Sequence, residues 1–316
     1  MSKNIAITLG DTRGVGPEIT LKALTQELAK NDGRGYTIYG RADILRRVNE
    51  QLKIGCPLDR VTISDTVEGD GTNPALNAVR WLKEAALACM KGETDGMVTA
   101  PVSKEEIIRA GHHHFIGQTE FLSELAGVPD TVMMLLGTND DPGSSRNGQW
   151  LRIALATTHV RLSKVAESLD QIKVENAIRR AAEACALQKL PHARIGVSGL
   201  NPHSGEGGKM GDEEQRVITP AIRHCRLMGM DVTGPIPADA ILRKAWMNEF
   251  DAVVSMYHDQ ALPALKMVAF DTGINWTLGL PFIRVSPDHG TAFDIAGKGI
   301  ASPRSMLAAI NLLKQL

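Results

Sequence analysis

The sequence predicts an α/β protein built on a largely parallel sheet with helices covering both faces. Two observations carry this. Short β-rich apolar runs alternate with longer stretches of helical character, and the chain, 316 residues of which 43% are hydrophobic, is long enough to bury a large core and to form two lobes. In order, NIAITLG leads into PEITLKALTQELA, TIYG into ADILRRVNEQL, DGMVTAPV into SKEEIIRAG, and RIALATTH into SKVAESLDQIKVENAIRRAAEACALQ. RIGVSG then leads, through a glycine-rich loop, into DEEQRVITPAIRHCRLMG. Such an alternation reads as successive βα units, because a strand that pairs in parallel with its predecessor needs a crossover and a helix supplies it.

Composition narrows the function. Lysine plus arginine (35) nearly balance aspartate plus glutamate (36), and no block of like charge stands out, so neither nucleic acid nor an anionic membrane is an expected partner. Work on a small molecule is favoured. Cys56, Cys89, Cys185 and Cys225 are scattered without CxxC spacing, which argues against a disulfide framework or a thiolate zinc site. Cys89 and Cys185 fall in helix-like runs and read as packing residues. The N-terminus passes from Met1 through Lys3 into Ile5-Ala6-Ile7-Thr8 without an apolar signal core or a spanning segment, so a reducing cytoplasm is expected. The polar stretch Gly137–Gln149 reads as a surface loop or hairpin tip, with a lid as the alternative.

Three histidines point to chemistry. His159, His203 and His258 each follow an apolar strand-like run (RIALATTHV, RIGVSGLNPHSGEGG and DAVVSMYHDQ), so each is delivered near the C-terminal end of a buried strand, where ligands of open α/β sheets collect. Three neutral imidazoles on a divalent ion leave positions open for water or substrate, as a catalytic site requires. Each histidine alone reads as a hydrogen-bonded loop residue; three in equivalent contexts favour a metal.

The first βα junction, GDTRGVGPE, has glycines for a tight turn and Pro17 for the first turn of a helix, but it is not the GxGxxG of a Rossmann dinucleotide site. His112, His113 and His114 are neighbours in sequence and cannot all face one ion from a regular element, so they read as a mixed surface run. Gln118 and Thr119 sit at a loop-to-helix transition, where they could donate to an anion or Thr119 could cap the helix with Glu120 in its first turn. Between Met256 and Arg284 the chain gathers His258, Asp259, Lys266, Asn275 and Arg284. The two cations flanking a metal ligand suit an anionic substrate, and the guanidinium suits bidentate contact with a carboxylate or phosphate.

Eight segments, in order and over nearly the whole chain, carry a resemblance: GDTRGVGPEI, TAPVSK, GQTEF, ALATTH, GLNPHSGEGGKMGDEE, GPIPAD, YHDQALPALK and NWTLGLPFIRVSPDHGTAFDIAGKG. Together they resemble the 4-hydroxythreonine-4-phosphate dehydrogenase family of vitamin B6 biosynthesis. The tail DHGTAFDIAGKGIASP is also similar to the adenosine-binding segment of isocitrate and isopropylmalate dehydrogenases.

The resemblance implies a two-lobed α/β/α fold of the isocitrate/isopropylmalate dehydrogenase type, not Rossmann, with approximate lobes 1–125 plus 285–316 and 126–284 and the active site in the cleft between them. It implies His159, His203 and His258 as ligands of one divalent ion (Zn, Mg, Co or Mn), and Gln118, Thr119, Lys266, Asn275 and Arg284 as substrate contacts. Lys266, Asp259 and Asp239 become the catalytic polar groups near the metal, and His289, Gly290, Thr291 and Asp294 border NAD or NADP. A homodimer whose site takes ligands from both subunits is implied. The activity implied is NAD(P)-linked oxidation of 4-phosphohydroxy-L-threonine to a β-keto acid that decarboxylates. The chain departs from the family's pattern at Gln118, where histidine is usual, and at GDTRGVGPE, where GDPAGIGPE is usual; relatives on this scaffold oxidise tetronate phosphates or aromatic cis-dihydrodiol carboxylates. In another class, three histidines on a metal could serve a hydrolase, for which the HGTAFDIAGKG segment would have no use.

Overall fold

A computed structural model describes residues 4–67, 69, 71–139, 144–146 and 148–316. The N-terminal residues 1–3, and positions 140–143 and 147 of the stretch read as a loop or lid, lie outside the described residues. The chain divides into two compact units. The first runs to Thr131 and resumes over Leu280–Gln315, and the second is Val132–Gly279.

In unit 1, β1 (Asn4–Thr8), β2 (Gly35–Tyr39), β3 (Thr62–Ser64), β4 (Gly96–Thr99) and β11 (Ile283–Pro287) lie in the order β3-β2-β1-β4-β11, every pair parallel. The βα reading of this half is therefore the observed architecture. Ile5, Ile7, Met97, Val98 and Val285 are fully buried, as they must be in strands covered on both faces. The helix Gly16–Ala29 opens on Pro17, whose missing N–H costs nothing in a first turn. The glycines of its junction are there for close backbone approach: a Cβ on Gly10 would stand 2.2 Å from the Pro101 carbonyl oxygen, and one on Gly14 would stand 2.5 Å from that of Thr291. Helix Pro74–Met90, capped by Asn73, buries Trp81 and Leu82. No alternation signal had marked it, because its 17 residues are apolar around more than one face.

Unit 2 contains β5 (Val132–Thr138), β6 (Trp150–Leu155), β7 (Ile195–Ser198), β8 (Val232–Ile236), β9 (Ala252–Ser255) and β10 (Ile274–Leu278). Their order is β10-β5-β6-β9-β7-β8, with β5 antiparallel to both neighbours and the remaining pairs parallel. The β5–β6 pair is a hairpin, with Gly137 opposite Leu151, so the 137–149 stretch begins as strand and its described residues belong to the hairpin's end. Helices Ala238–Trp246 and His258–Ala269 pack Ile241, Ala261 and Leu265 onto β5, β6 and β9, forming one apolar cluster. Emptying the fully buried Leu265 to alanine would cost about 2–5 kcal/mol by the usual cavity penalty. Gly137 sets the distance of closest approach, since a Cβ there would meet the Ala269 Cβ at 2.4 Å.

The long helical run expected over 163–188 is broken. A short helix Val165–Ser168 ends, and Asp170 starts Gln171–Leu187 by accepting the Lys173 N–H at 2.8 Å, so a capping residue inside the periodic stretch decides the boundary. The segment before Thr219–Leu227 is a π-turn, Glu214–Ile218, and Pro220 enters the first turn of the α-helix that follows. All four cysteines are buried and free. Burial pushes the thiols of Cys89, Cys185 and Cys225 up to about 11, so they are packing groups and not thiolates.

Candidate active site

Strands β6, β9, β7 and β8 are parallel neighbours, so their C-terminal ends form one edge of unit 2. Each of the three histidines singled out in the sequence follows one of these ends: His159 after β6, His258 after β9 and His203 after β7. Asp239 follows β8, exposed in the first turn of Ala238–Trp246.

Two of the histidines meet. The rings of His159 and His258 have centroids 5.5 Å apart. His258 begins helix His258–Ala269, and its Nδ1 lies 2.7 Å from Asp259 Oδ1. A carboxylate can only accept, so it fixes the proton on Nδ1 and leaves the Nε2 lone pair for a ligand. Asp259, 82% exposed, serves here as the orienting partner. Gln260 ties this helix start to β7: its Oε1 accepts from Met256 N (2.7 Å) and Ser198 Oγ (2.9 Å), and its Nε2 donates to the Gly199 carbonyl at 2.8 Å.

His203 sits in a loop where six successive residues, His203 to Gly208, have positive φ. Buried Glu214 holds this loop, accepting from the Leu200 and Asn201 N–H groups at 2.8 and 2.7 Å and from Asn201 Nδ2 at 3.0 Å. The structure does not bring His203 into a three-ligand set; among the described residues no group of three or more His, Cys, Asp or Glu is placed to hold a metal ion. The fit is therefore partial. His159 and His258, with Asp259 behind, are a donor pair suited to a borderline divalent ion, and His203 shares their edge without joining them.

Lys266 lies on the same helix as His258, about 12 Å of axial rise further on, with its ammonium 5.3 Å from the Phe270 ring centroid. Asn275, on β10, has a buried Oδ1 with no hydrogen-bond partner, and so do the hydroxyls of Ser255, the last residue of β9, and Ser204, next to His203. Buried polar groups left unsatisfied are costly, and a bound ligand is one way of completing them.

Unit 1 carries the other set. Arg284, on β11, is only 3% exposed. Its Nε and Nη2 donate to Thr99 Oγ1 at 3.1 and 2.8 Å, Nη2 also to Gln118 Oε1 at 3.2 Å, and Nη1 to Thr119 Oγ1 at 3.3 Å. Gln118 Nε2 in turn donates to the Ala100 carbonyl at 3.1 Å. Burial pulls the guanidinium down to about 10 against the opposing pull of the Glu120 charge, so it remains cationic at neutral pH. Gly117, not Thr119, is the N-cap of helix Gln118–Ala126, so the Thr119 hydroxyl is released from capping and faces the arginine. His112, His113 and His114 are exposed and line a surface cavity of about 310 Å³ with Phe115 and Phe121.

The residues read as bordering the cofactor follow β11. His289 and Asp294 are exposed, Gly290 O lies 3.0 Å from His289 Nδ1, and Thr291 O accepts the Val15 N–H at 2.9 Å, which binds this segment to the first βα junction. Arg13 reinforces the junction. It is chelated by buried Asp11 (2.7 and 3.0 Å), bonded to Glu106 (2.6 Å) and placed 5.8 Å from the Phe293 ring centroid. Sequence reasoning gave no role to Thr99, Glu214 or Gln260. Thr99 lies inside the strand-like DGMVTAPV and could have been found as a polar residue near a strand's C-terminal edge, whereas Glu214 and Gln260 act largely through backbone groups that no pattern marks.

The fold defines a class. Isocitrate dehydrogenase from Methylococcus capsulatus superposes with a TM-score of 0.56 at 14% identity, covering 99% of this chain and 85% of that one, a likeness of fold alone. The chain shares that fold, and relatives named as dehydrogenases, given below, make it an oxidoreductase. More particularly, the family described as pyridoxal phosphate biosynthetic protein PdxA matches residues 29–313, and the chain belongs to that family. The 4-hydroxythreonine-4-phosphate dehydrogenase of Geobacter metallireducens is 41% identical, with 99% of this chain and 95% of the relative covered. The D-threonate 4-phosphate dehydrogenase of Pectobacterium atrosepticum is 37% identical with both chains fully covered. The crystal structure of 4-hydroxythreonine-4-phosphate dehydrogenase from Klebsiella pneumoniae has a TM-score of 0.84 at 34% identity, covering 100% of this chain and 98% of that one. A terephthalate 1,2-cis-dihydrodiol dehydrogenase from Burkholderia xenovorans is more distant, with a TM-score of 0.69 at 29% identity over 100% of this chain and 98% of that one.

Proposed function

We propose that the chain catalyses NAD(P)-linked, divalent-metal-dependent oxidation of 4-phosphohydroxy-L-threonine at its secondary hydroxyl, with loss of CO₂ to give 3-amino-2-oxopropyl phosphate. The observation that carries the reading is Arg284, a buried cation bonded to the Thr99 hydroxyl and flanked by Gln118 and Thr119, which suits an anchor for a dianionic phosphate. Asn275 Oδ1 is an acceptor still to be satisfied and suits an ammonium or hydroxyl of the substrate.

When bound, the divalent ion supplies electrostatic stabilisation of substrate oxygen and the nicotinamide accepts the hydride. His159 and His258 are the residues that would hold the ion, with Asp259 fixing the His258 tautomer and His203, which follows the neighbouring strand β7, as the proposed third ligand. Lys266 Nζ is assigned the proton that replaces the departing carboxylate on carbon, so the C–COO⁻ bond breaks as a C–H bond forms. His289, Gly290, Thr291 and Asp294 are the segment offered to the cofactor. A homodimer is part of the reading, and the four buried free thiols fit a reducing cytoplasm.

A second reading, oxidation of D-threonate 4-phosphate, is favoured by the Pectobacterium relative and by Gln118 at a position where histidine is usual. Both substrates present a phosphate to Arg284. NADH and NADPH formation followed with each substrate in parallel, divalent metal present, decides between them: the higher kcat/KM identifies the substrate, and turnover of neither phosphate ester overturns both readings.

A further inference from the structure

We propose that Thr99 is the positioning residue of the anion site, aiming the Arg284 guanidinium through two hydrogen bonds to a single hydroxyl oxygen. The inference rests on the reading of Arg284 as the substrate anchor. Thr99 is the last residue of β4 and is fully buried, and β4 pairs in parallel with β11, which carries Arg284. Its Oγ1 accepts from both Nε (3.1 Å) and Nη2 (2.8 Å), so one side edge of the guanidinium is engaged by the protein. On the other side Nη1 lies against the Thr119 hydroxyl. An arginine side chain has four rotatable bonds, and its value for bidentate recognition depends on the plane being fixed before the ligand arrives. The adjacent Ala100 carbonyl holds Gln118, the second acceptor on Arg284, so consecutive residues at the end of β4 orient both partners of the anchor. The charge stays with Arg284; Thr99 supplies direction.

The test uses the intact enzyme with 4-phosphohydroxy-L-threonine and D-threonate 4-phosphate as probes. Thr99→Val keeps the shape and leaves two buried donors facing a methyl group, and Thr99→Ser keeps the oxygen. For the better substrate, Thr99→Val should raise KM about ten-fold with a smaller change in kcat, while the KM for the nicotinamide cofactor stays within about two-fold. Thr99→Ser should restore the KM to within about three-fold of wild type. The shift in melting temperature produced by the phosphate substrate should shrink in Thr99→Val and return in Thr99→Ser, a readout that a merely misfolded variant cannot give. Arg284→Lys separates the two levels of the argument. If it raises KM and Thr99→Val does not, Thr99 is not the positioning residue; if it leaves KM unchanged, the anchor itself is misassigned. Equal damage by Thr99→Val to substrate and cofactor KM, or no rescue by serine, also overturns the proposal.

Discussion

Gln118 commits both ends of its amide to the protein, donating from Nε2 to the Ala100 carbonyl and accepting at Oε1 from Arg284. A neutral imidazole offers the same pair, one donor and one acceptor, and the adjacent buried guanidinium favours that neutral form. Gln118→His is therefore expected to fold and to keep its hold on Arg284. Its consequence should show in selectivity: the ratio of kcat/KM for 4-phosphohydroxy-L-threonine over D-threonate 4-phosphate should rise by about three-fold or more, on the scale of one altered hydrogen bond. An unchanged ratio would mean that position 118 carries no information about substrate choice. Gln118, Thr119 and Arg284 were each legible in the sequence as anion-site candidates, but their mutual bonding was not, because it joins residues more than 160 positions apart.

At the scale of elements, two devices hold unit 2, one at its histidine-bearing edge and one at the opposite end of the same strands. The first is the loop after β7, suspended from the Glu214 carboxylate by two backbone N–H groups and one side-chain amide. Glu214→Ala removes all three and should weaken Co²⁺ or Zn²⁺ binding measured by titration calorimetry by about ten-fold, the scale seen when outer-shell partners of metal ligands are lost; unaltered affinity would detach this loop from the metal site. The second is the pair that laces the entries of β7 and β9. Arg194 donates to Asp251 through Nε and Nη2, each at 3.0 Å, and through its backbone N–H at 2.8 Å. Burial works against the charged carboxyl, yet the Arg194 hydrogen bonds prevail and hold Asp251 below its ordinary 3.8. A folded-state value lower than the unfolded one means that the stabilisation is present above 3.8 and is lost as pH falls through the folded value. The melting-temperature gap between wild type and Asp251→Asn, about 1 kcal/mol in stability, should hold steady in the neutral range and close below pH 3.8; a gap independent of pH would exclude the carboxylate as its source. The strands ending near His159, His203 and His258 were readable because a parallel strand buried on both faces is a continuous apolar block. The hairpin partner β5 and the helix Pro74–Met90 were not, since an apolar run without turn signals on both sides fits strand or helix equally well. The split at Asp170 was hidden inside a periodic stretch for a related reason: capping is a matter of backbone geometry, and only one residue signals it.

For the molecule as a whole, the proposed homodimer carries the sharpest consequence. A site that takes groups from two copies of the chain is completed only on association, and a closed twofold pair is the form such an exchange takes. Sedimentation velocity at assay concentration should show a dimer, and specific activity should fall on dilution in step with its dissociation; a fully active monomer would rule the arrangement out. Among the described residues no helix is long and apolar enough to cross a membrane.

Unit 1 is threaded from two separate stretches, and β11, the strand beside β4, comes from the later one, Leu280–Gln315. On the ribosome the whole of Val132–Gly279 is translated before that strand exists. Through that interval the nascent first unit has β4 as a bare sheet edge, a surface ready to pair with the wrong chain. The strand that arrives to close it brings Arg284, so the proposed anion anchor is the last of its parts to be born, and on that reading the half-made protein has no grip on phosphate until its edge has been sealed.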